Sequence, residues 1–170
     1  MLALLERFCL ALRHLVSAAV ILLFSAMMIA VLVQVAGRYI FDYSVAQASE
    51  IATFSQVWLV LLGAGVAVAR GQHVAIDMIP AQLPLPLARV ALVVIALIIA
   101  AFLCVLAWGS LPLMKMGAFQ MSPAMRVPMK YVYLCLPIGS AYMMLELLLS
   151  VIQRWRLPFP PPEAETQEAI

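Results

Sequence analysis

Four stretches of this chain are each apolar for about the length that a helix needs to cross a bilayer. They cover residues 15–36, 51–69, 90–111 and 131–152; the first three carry no formal charge, and the fourth carries only Glu146. A helix requires roughly 20 such residues to cross about 30 Å of hydrocarbon. Water is absent there, so every backbone polar group must find its partner within the protein, and a helix achieves this segment by segment. Composition agrees. The chain is 66% apolar and 11% charged, against about 45–50% and 25% in soluble domains. A water-soluble fold would have to expose large apolar patches, which drive association. The expected fold is therefore all-α, an integral membrane protein with four transmembrane helices in one domain over residues 1–157. Pro158-Phe159-Pro160-Pro161-Pro162 cannot be helical, and with the acidic residues after it forms an expected disordered tail over 158–170.

Local chemistry places the helix ends. The first run follows Arg7, Arg13 and His14 as a secretory signal would, but it exceeds the roughly 7–15 apolar residues of a signal core, so it is expected to remain as a helix. Ser44-Val45-Ala46-Gln47 fits a capping box ahead of the second helix, and Gly71 is placed to stop that helix. Pro84 and Pro86 precede the third run in positions compatible with a first helical turn, and Pro112 should end or kink it. Pro137 should kink the fourth.

Four spans put both termini on one side. If that side is the cytoplasm, the inner segments hold Arg7, Arg13, Arg70, Arg89, Arg154 and Arg156, and the outer loops hold Arg38, Lys115, Arg126 and Lys130. The positive-inside rule then favours cytoplasmic termini. Tyr39, Phe41, Tyr43, Tyr131, Tyr133 and Trp155 fall near span ends, as interfacial aromatics do.

The same pattern narrows function. A net charge of +2 gives no footprint for nucleic acid. Cys9, Cys104 and Cys135 form no C-x-x-C pair and read as small hydrophobes. His14 and His73 do not face each other across spans, which argues against haem ligation within the chain. His73 and Asp77 stand four apart, a spacing compatible with a loop clamp, a subunit contact or two ligands of a metal, but two ligands do not make a zinc site. No catalytic set or phosphate cradle is present, so neither an enzyme nor a cofactor is expected. Ion-coupled carriers place ionisable groups or broken helices near the midplane, and this chain has no midplane charge in its first three spans. Glu146 reads as a snorkelling carboxylate, as a partner for Arg154 or another helix, or as part of a proton path.

Several short motifs are more specific. Gly37-Arg38-Tyr39-Ile40-Phe41 follows the first span; Ser44 and Glu50 lead into the second, which holds Trp58 and Gly63; then come His73-Val74 and Asp77. Further on stand Met121-Ser122-Pro123-Ala124, Val127-Pro128-Met129, Tyr133 and Pro137-Ile138-Gly139. In order and spacing, these resemble the small membrane subunit (DctQ type) of tripartite ATP-independent periplasmic (TRAP) transporters. The chain departs from the family pattern at Gln47, where a Trp is usual, and at Ser49, the first of a usual acidic pair of which Glu50 remains.

The resemblance implies a bacterial inner-membrane subunit without enzymatic activity. It would scaffold a large permease subunit and help dock a periplasmic substrate-binding protein, for symport of a small organic acid, typically a carboxylate, driven by an ion gradient. The lipid bilayer is the third partner. The candidate contacts are Arg38, Tyr39, Glu50, Trp58, Gly63, His73 and Asp77. From the residues alone, Arg38 is also an ordinary interfacial anchor and Glu50 a helix-dipole partner. Gly63 and Gly65 form a smooth patch suited to close helix approach, inside the chain or against a partner. The alternative function is a membrane anchor for a redox complex.

Overall fold

A computed structural model of the chain describes residues 2–70 and 84–155. The chain forms α1 (Leu2–Ile40), α2 (Ala46–Ala69), α3 (Leu85–Gly117), the single turn α4 (Lys130–Tyr133) and α5 (Cys135–Arg154). Four stretches are long and apolar enough to cross a membrane: Cys9–Ile40, Ala46–Ala69, Leu85–Gly117 and Lys130–Gln153. Among the described residues, the extended pairing is confined to one isolated bridge, Met121 to Pro128. The predicted tail, Gly71, His73 and Asp77 lie outside the described residues.

Successive spans run antiparallel, but they do not close into a ring. Among the described residues, α1 packs on α2, α2 on α5, and α5 on α3. The spatial order is therefore α1–α2–α5–α3, a row with α2 and α5 in the middle. The edge helices α1 and α3 lean on one long neighbour each. This leaves side chains such as Ile21, Leu22, Leu97, Ile98 and Phe102 exposed along them, as expected where the surrounding solvent is lipid.

Small residues set the central contact. A Cβ on Gly139 of α5 would lie 2.8 Å from the Cβ of Leu61, and one on Gly65 of α2 would overlap the ring of Tyr142. Lipid supplies no hydrophobic drive between helices, so close backbone approach and dispersion must hold them together. Beside this crossing, Val16, Leu62 and Tyr142 form a buried cluster, with Leu12, Val20, Leu23, Trp58 and Val66 packed against it. This cluster joins α1 to the central pair.

The prolines act in different ways. Pro84 is the N-cap of α3, and Pro86 stands in its first turn, where a missing N–H costs nothing. Pro112 lies inside α3, which continues to Gly117, so it does not end the helix. Pro137 denies a donor to the carbonyl four residues earlier, that of Tyr133, and the fourth span breaks there between α4 and α5. Helical geometry persists through Leu134 at φ −60°, ψ −22°.

The capping box at Ser44 does not form. Helix α2 starts at Ala46 with Val45 as its N-cap and no side-chain cap bond. The chain instead leaves α1 through a tight reversal. The Gly37 carbonyl accepts from Phe41 N–H at 3.2 Å and Tyr43 N–H at 2.9 Å, and Asp42 takes φ +50°, a conformation that Asp tolerates better than most residues. A Cβ on Gly37 would stand 2.8 Å from the Tyr43 carbonyl oxygen. The backbone of this reversal fixes where α2 begins, which overrides the local capping signal.

Gly139→Ala is expected to lower stability by about 1–3 kcal/mol through overpacking at the α2–α5 crossing. Gly63→Ala, whose Cβ would meet nothing within 4 Å, should leave stability unchanged. Thermal unfolding of the two variants in the same detergent checks the contrast.

Candidate interaction sites at the two ends of the helix row

One end of the row gathers the C-termini of α1 and α3 and the N-termini of α2 and α4. The loop between α3 and α4 is compact. Ser122 is buried and acts as its hub: its N–H donates to the Val127 carbonyl at 2.9 Å, its carbonyl accepts from Arg126 N–H at 3.1 Å, and its Oγ accepts from Val127 N–H at 3.1 Å. Met129 N–H donates to the Gln120 carbonyl at 2.9 Å, and Arg126 turns the chain at φ +54°.

Glu50 clamps this loop to α2. Its Oε1 accepts from Ala124 N–H at 2.7 Å and its Oε2 from Met125 N–H at 2.9 Å. Charge-assisted bonds of this kind are short and stronger than neutral ones. The carboxylate thus joins two motif regions more than seventy positions apart in sequence. This is an intramolecular role that neither the helix-dipole reading nor the partner-contact reading supplied.

The remaining candidates divide by exposure. Arg38 and Tyr39 are exposed at the last turn of α1, with Phe41 and Tyr43 exposed just beyond. Lys130 sits 5.0 Å above the ring of Tyr131, an arrangement that holds the cation near the interface. Phe119 is 91% exposed. Trp58 is half-buried and packs on the cluster of Val16, Leu62 and Tyr142, so it contributes to the α1–α2 contact. Gly65 makes the close approach within the chain, whereas Gly63 faces open space.

At the other end, Glu146 of α5 is fully buried and pairs with Arg13 of α1. Arg13 Nε donates to Oε1 at 3.0 Å and to Oε2 at 3.2 Å, and a terminal nitrogen donates to Oε2 at 2.7 Å. The guanidinium keeps 30% of its side chain exposed. Glu146 is therefore a partner for another helix rather than a snorkelling group. Sequence reading missed Arg13 because it was counted as a flanking charge. The signal was an ionisable residue inside a span, but the pairing needs α1 and α5 to sit on the two sides of α2. Among the described residues, no group of His, Cys, Asp and Glu is arranged to hold a metal.

The family model for the DctQ component of tripartite ATP-independent periplasmic transporters matches residues 27–157. The chain belongs to this family. The match contains the Arg-Tyr motif, the glutamate clamp, the α3–α4 loop and the whole α2–α5 crossing. A putative TRAP transporter small permease protein of Haemophilus influenzae is 24% identical over 119 residues, covering 70% of this chain and 72% of that relative. The isethionate TRAP transporter permease protein DctMQ of Oleidesulfovibrio alaskensis is 27% identical over 110 residues, covering 64% of this chain. The match spans only 17% of that longer relative. The protein is thus a multi-pass inner-membrane small permease subunit, from a family that works with a large permease and a binding protein.

Two predictions test the ends of this DctQ chain. Arg13→Met strands a buried carboxylate and is expected to cost about 3–5 kcal/mol. Glu146→Met should cost less, because Arg13 can extend to water, and the double variant should recover most of the Arg13→Met loss; thermal unfolding in detergent reads all three. Glu50→Gln should speed hydrogen exchange at the Ala124 and Met125 amides while leaving the amides of the α2–α5 crossing unchanged.

Proposed function

We propose that this subunit is a scaffold. It holds the large TRAP permease in the inner membrane and helps dock the periplasmic binding protein, while the large permease carries a small organic acid inward on an ion gradient. The observation that carries this reading is the distribution of charge. Among the described residues, the only ion pair is Arg13–Glu146, and it is spent on joining α1 to α5. The rest of the described membrane-depth surface is uncharged, so the described residues offer no charged site for a coupling ion or an anionic substrate. Translocation therefore falls to a partner. The fused relative named DctMQ supports a large permease as that partner, and its name, which specifies isethionate, supports a small organic anion as cargo.

Both termini are assigned to the cytoplasm by the positive-inside rule. This makes the end with the Glu50 clamp periplasmic. That end carries Arg38, Lys115, Arg126 and Lys130, and the exposed aromatics Tyr39, Phe41 and Phe119, a surface suited to steering an acidic face on the binding protein. His73 and Asp77 would lie on the cytoplasmic side as a loop clamp or a subunit contact.

Purification of the chain from its native membrane in mild detergent should bring down a much larger polytopic permease. Recovery of a haem protein in its place would favour the redox-anchor alternative. Arg38→Glu combined with Lys130→Glu should leave that assembly intact but weaken binding-protein-dependent uptake by roughly tenfold at low salt, with the difference shrinking as salt rises. Unchanged uptake at low salt would remove the steering role.

A further inference from the structure

Among the described residues, helix α2 has one face that no other helix covers. Ser49, Thr53, Gln56, Val60 and Gly63 recur every three to four residues and so line one side of it. Trp58 and Gly65, which pack on α1 and α5, point the other way. Thr53 and Gln56 are exposed, Val60 is 60% exposed, and Gly63 opens onto empty space.

Gln56 separates this face from the outer faces of α1 and α3. It lies ten residues into α2, about 15 Å from its start, which is near the middle of the bilayer. Thr53 turns its hydroxyl back onto the Ser49 carbonyl at 2.9 Å, but none of the side-chain hydrogen bonds among the described residues involves Gln56. Lipid tails cannot bond a carboxamide, and leaving one unpaired in hydrocarbon is costly. Exposed side chains along α1 and α3 such as Ile21, Leu22, Ile98 and Phe102 are hydrocarbon and suit lipid directly. A small-residue surface with one amide at its centre instead suits another helix, which can approach closely and return the hydrogen bond.

The geometry points to this face of α2, centred on Gln56, as the surface that receives a membrane helix of the large permease, with the edge helices α1 and α3 left to lipid. The occupant rests on the scaffold reading above and on the fused relative named DctMQ, in which a match to this chain forms part of one longer permease. The bond at Gln56 would be made to a backbone carbonyl or a polar side chain of the partner helix.

Site-directed cross-linking in the whole complex tests this. Cys104 is exposed whereas Cys9 and Cys135 are buried, so Cys104→Ala removes the reactive background. A thiol-linked benzophenone is then placed by Gln56→Cys, Val60→Cys, Ile21→Cys or Phe102→Cys, and each sample is irradiated in native membranes. The expected result is a cross-link to the large permease from positions 56 and 60, and lipid adducts from 21 and 102. Separately, Gln56→Leu, which keeps the volume and removes the amide, should weaken retention of the permease roughly threefold to tenfold, with the subunit's own melting unchanged. Permease cross-links confined to 21 or 102, lipid adducts alone at 56 and 60, or a dimer of the small subunit at those positions would each overturn the assignment while leaving the scaffold reading standing. A wild-type chain that retains no permease would instead remove the scaffold reading, and this assignment with it.

Discussion

The close approach of α2 and α5 carries the rest of the structure. Two glycines make it possible, one from each helix. Gly139 lets the α5 backbone close on Leu61, and Gly65 leaves room for the ring of Tyr142. In water such a contact would be reinforced by burying apolar surface. Here lipid is as apolar as the side chains, so helices that fit poorly gain little by touching. Each edge helix then adds to the central pair through a separate device. Helix α1 is tied by the cluster around Val16 and Leu62 and by the Arg13–Glu146 pair. Helix α3 joins through α5 and through the close packing of Gly117 against Tyr133.

The two ends of the row are held by one buried or half-buried carboxylate each, and they solve different problems. Glu50 satisfies backbone amides of a loop that would otherwise be free to splay where the chain re-enters the membrane. Glu146 satisfies a guanidinium and is itself completely removed from solvent, so the two charges cancel where lipid would tolerate neither alone. In both cases the carboxylate spans a large sequence separation, linking elements that share little packing of their own. Neither leaves a charge at the midplane.

Much of this was legible in advance, for a physical reason. Hydrocarbon filters sequences harshly, so runs of uncharged residues report helices directly, and the all-α four-helix fold could be read from them. The motifs around Arg38, Glu50 and Ser122 marked the right regions. What could not be read was which partner each polar group would choose. Glu50 looked like a helix-terminus charge because its bonds go to backbone amides, which every residue except proline has and which leave no mark in the sequence. Arg13 looked like a flanking charge because its distance to Glu146 depends on the order of helices in space. The expected cap at Ser44 failed because the α1–α2 reversal, driven by Gly37 and Asp42, starts the helix one residue later, with Val45 as its N-cap. The roles of Gly63 and Gly65 could not be separated by spacing, since only the position of Tyr142 assigns one of them to an internal contact.

A row of helices has consequences that a closed bundle does not. A bundle encloses an interior, and a transport path could run through it. In the row formed by the described residues, every helix keeps a face outward and the helices enclose no axis along which a solute could pass. The central helix α2 is the one whose free face carries a polar side chain near mid-depth, and it is also the helix most constrained by neighbours on its other sides. On the scaffold reading proposed above, a surface holding a moving partner would benefit from that arrangement, because a force applied to α2 would be distributed through α5 to α3 and through the buried cluster to α1. The closely packed centre and the exposed apolar edges would suit the proposed scaffold, a chain that stays still while another moves.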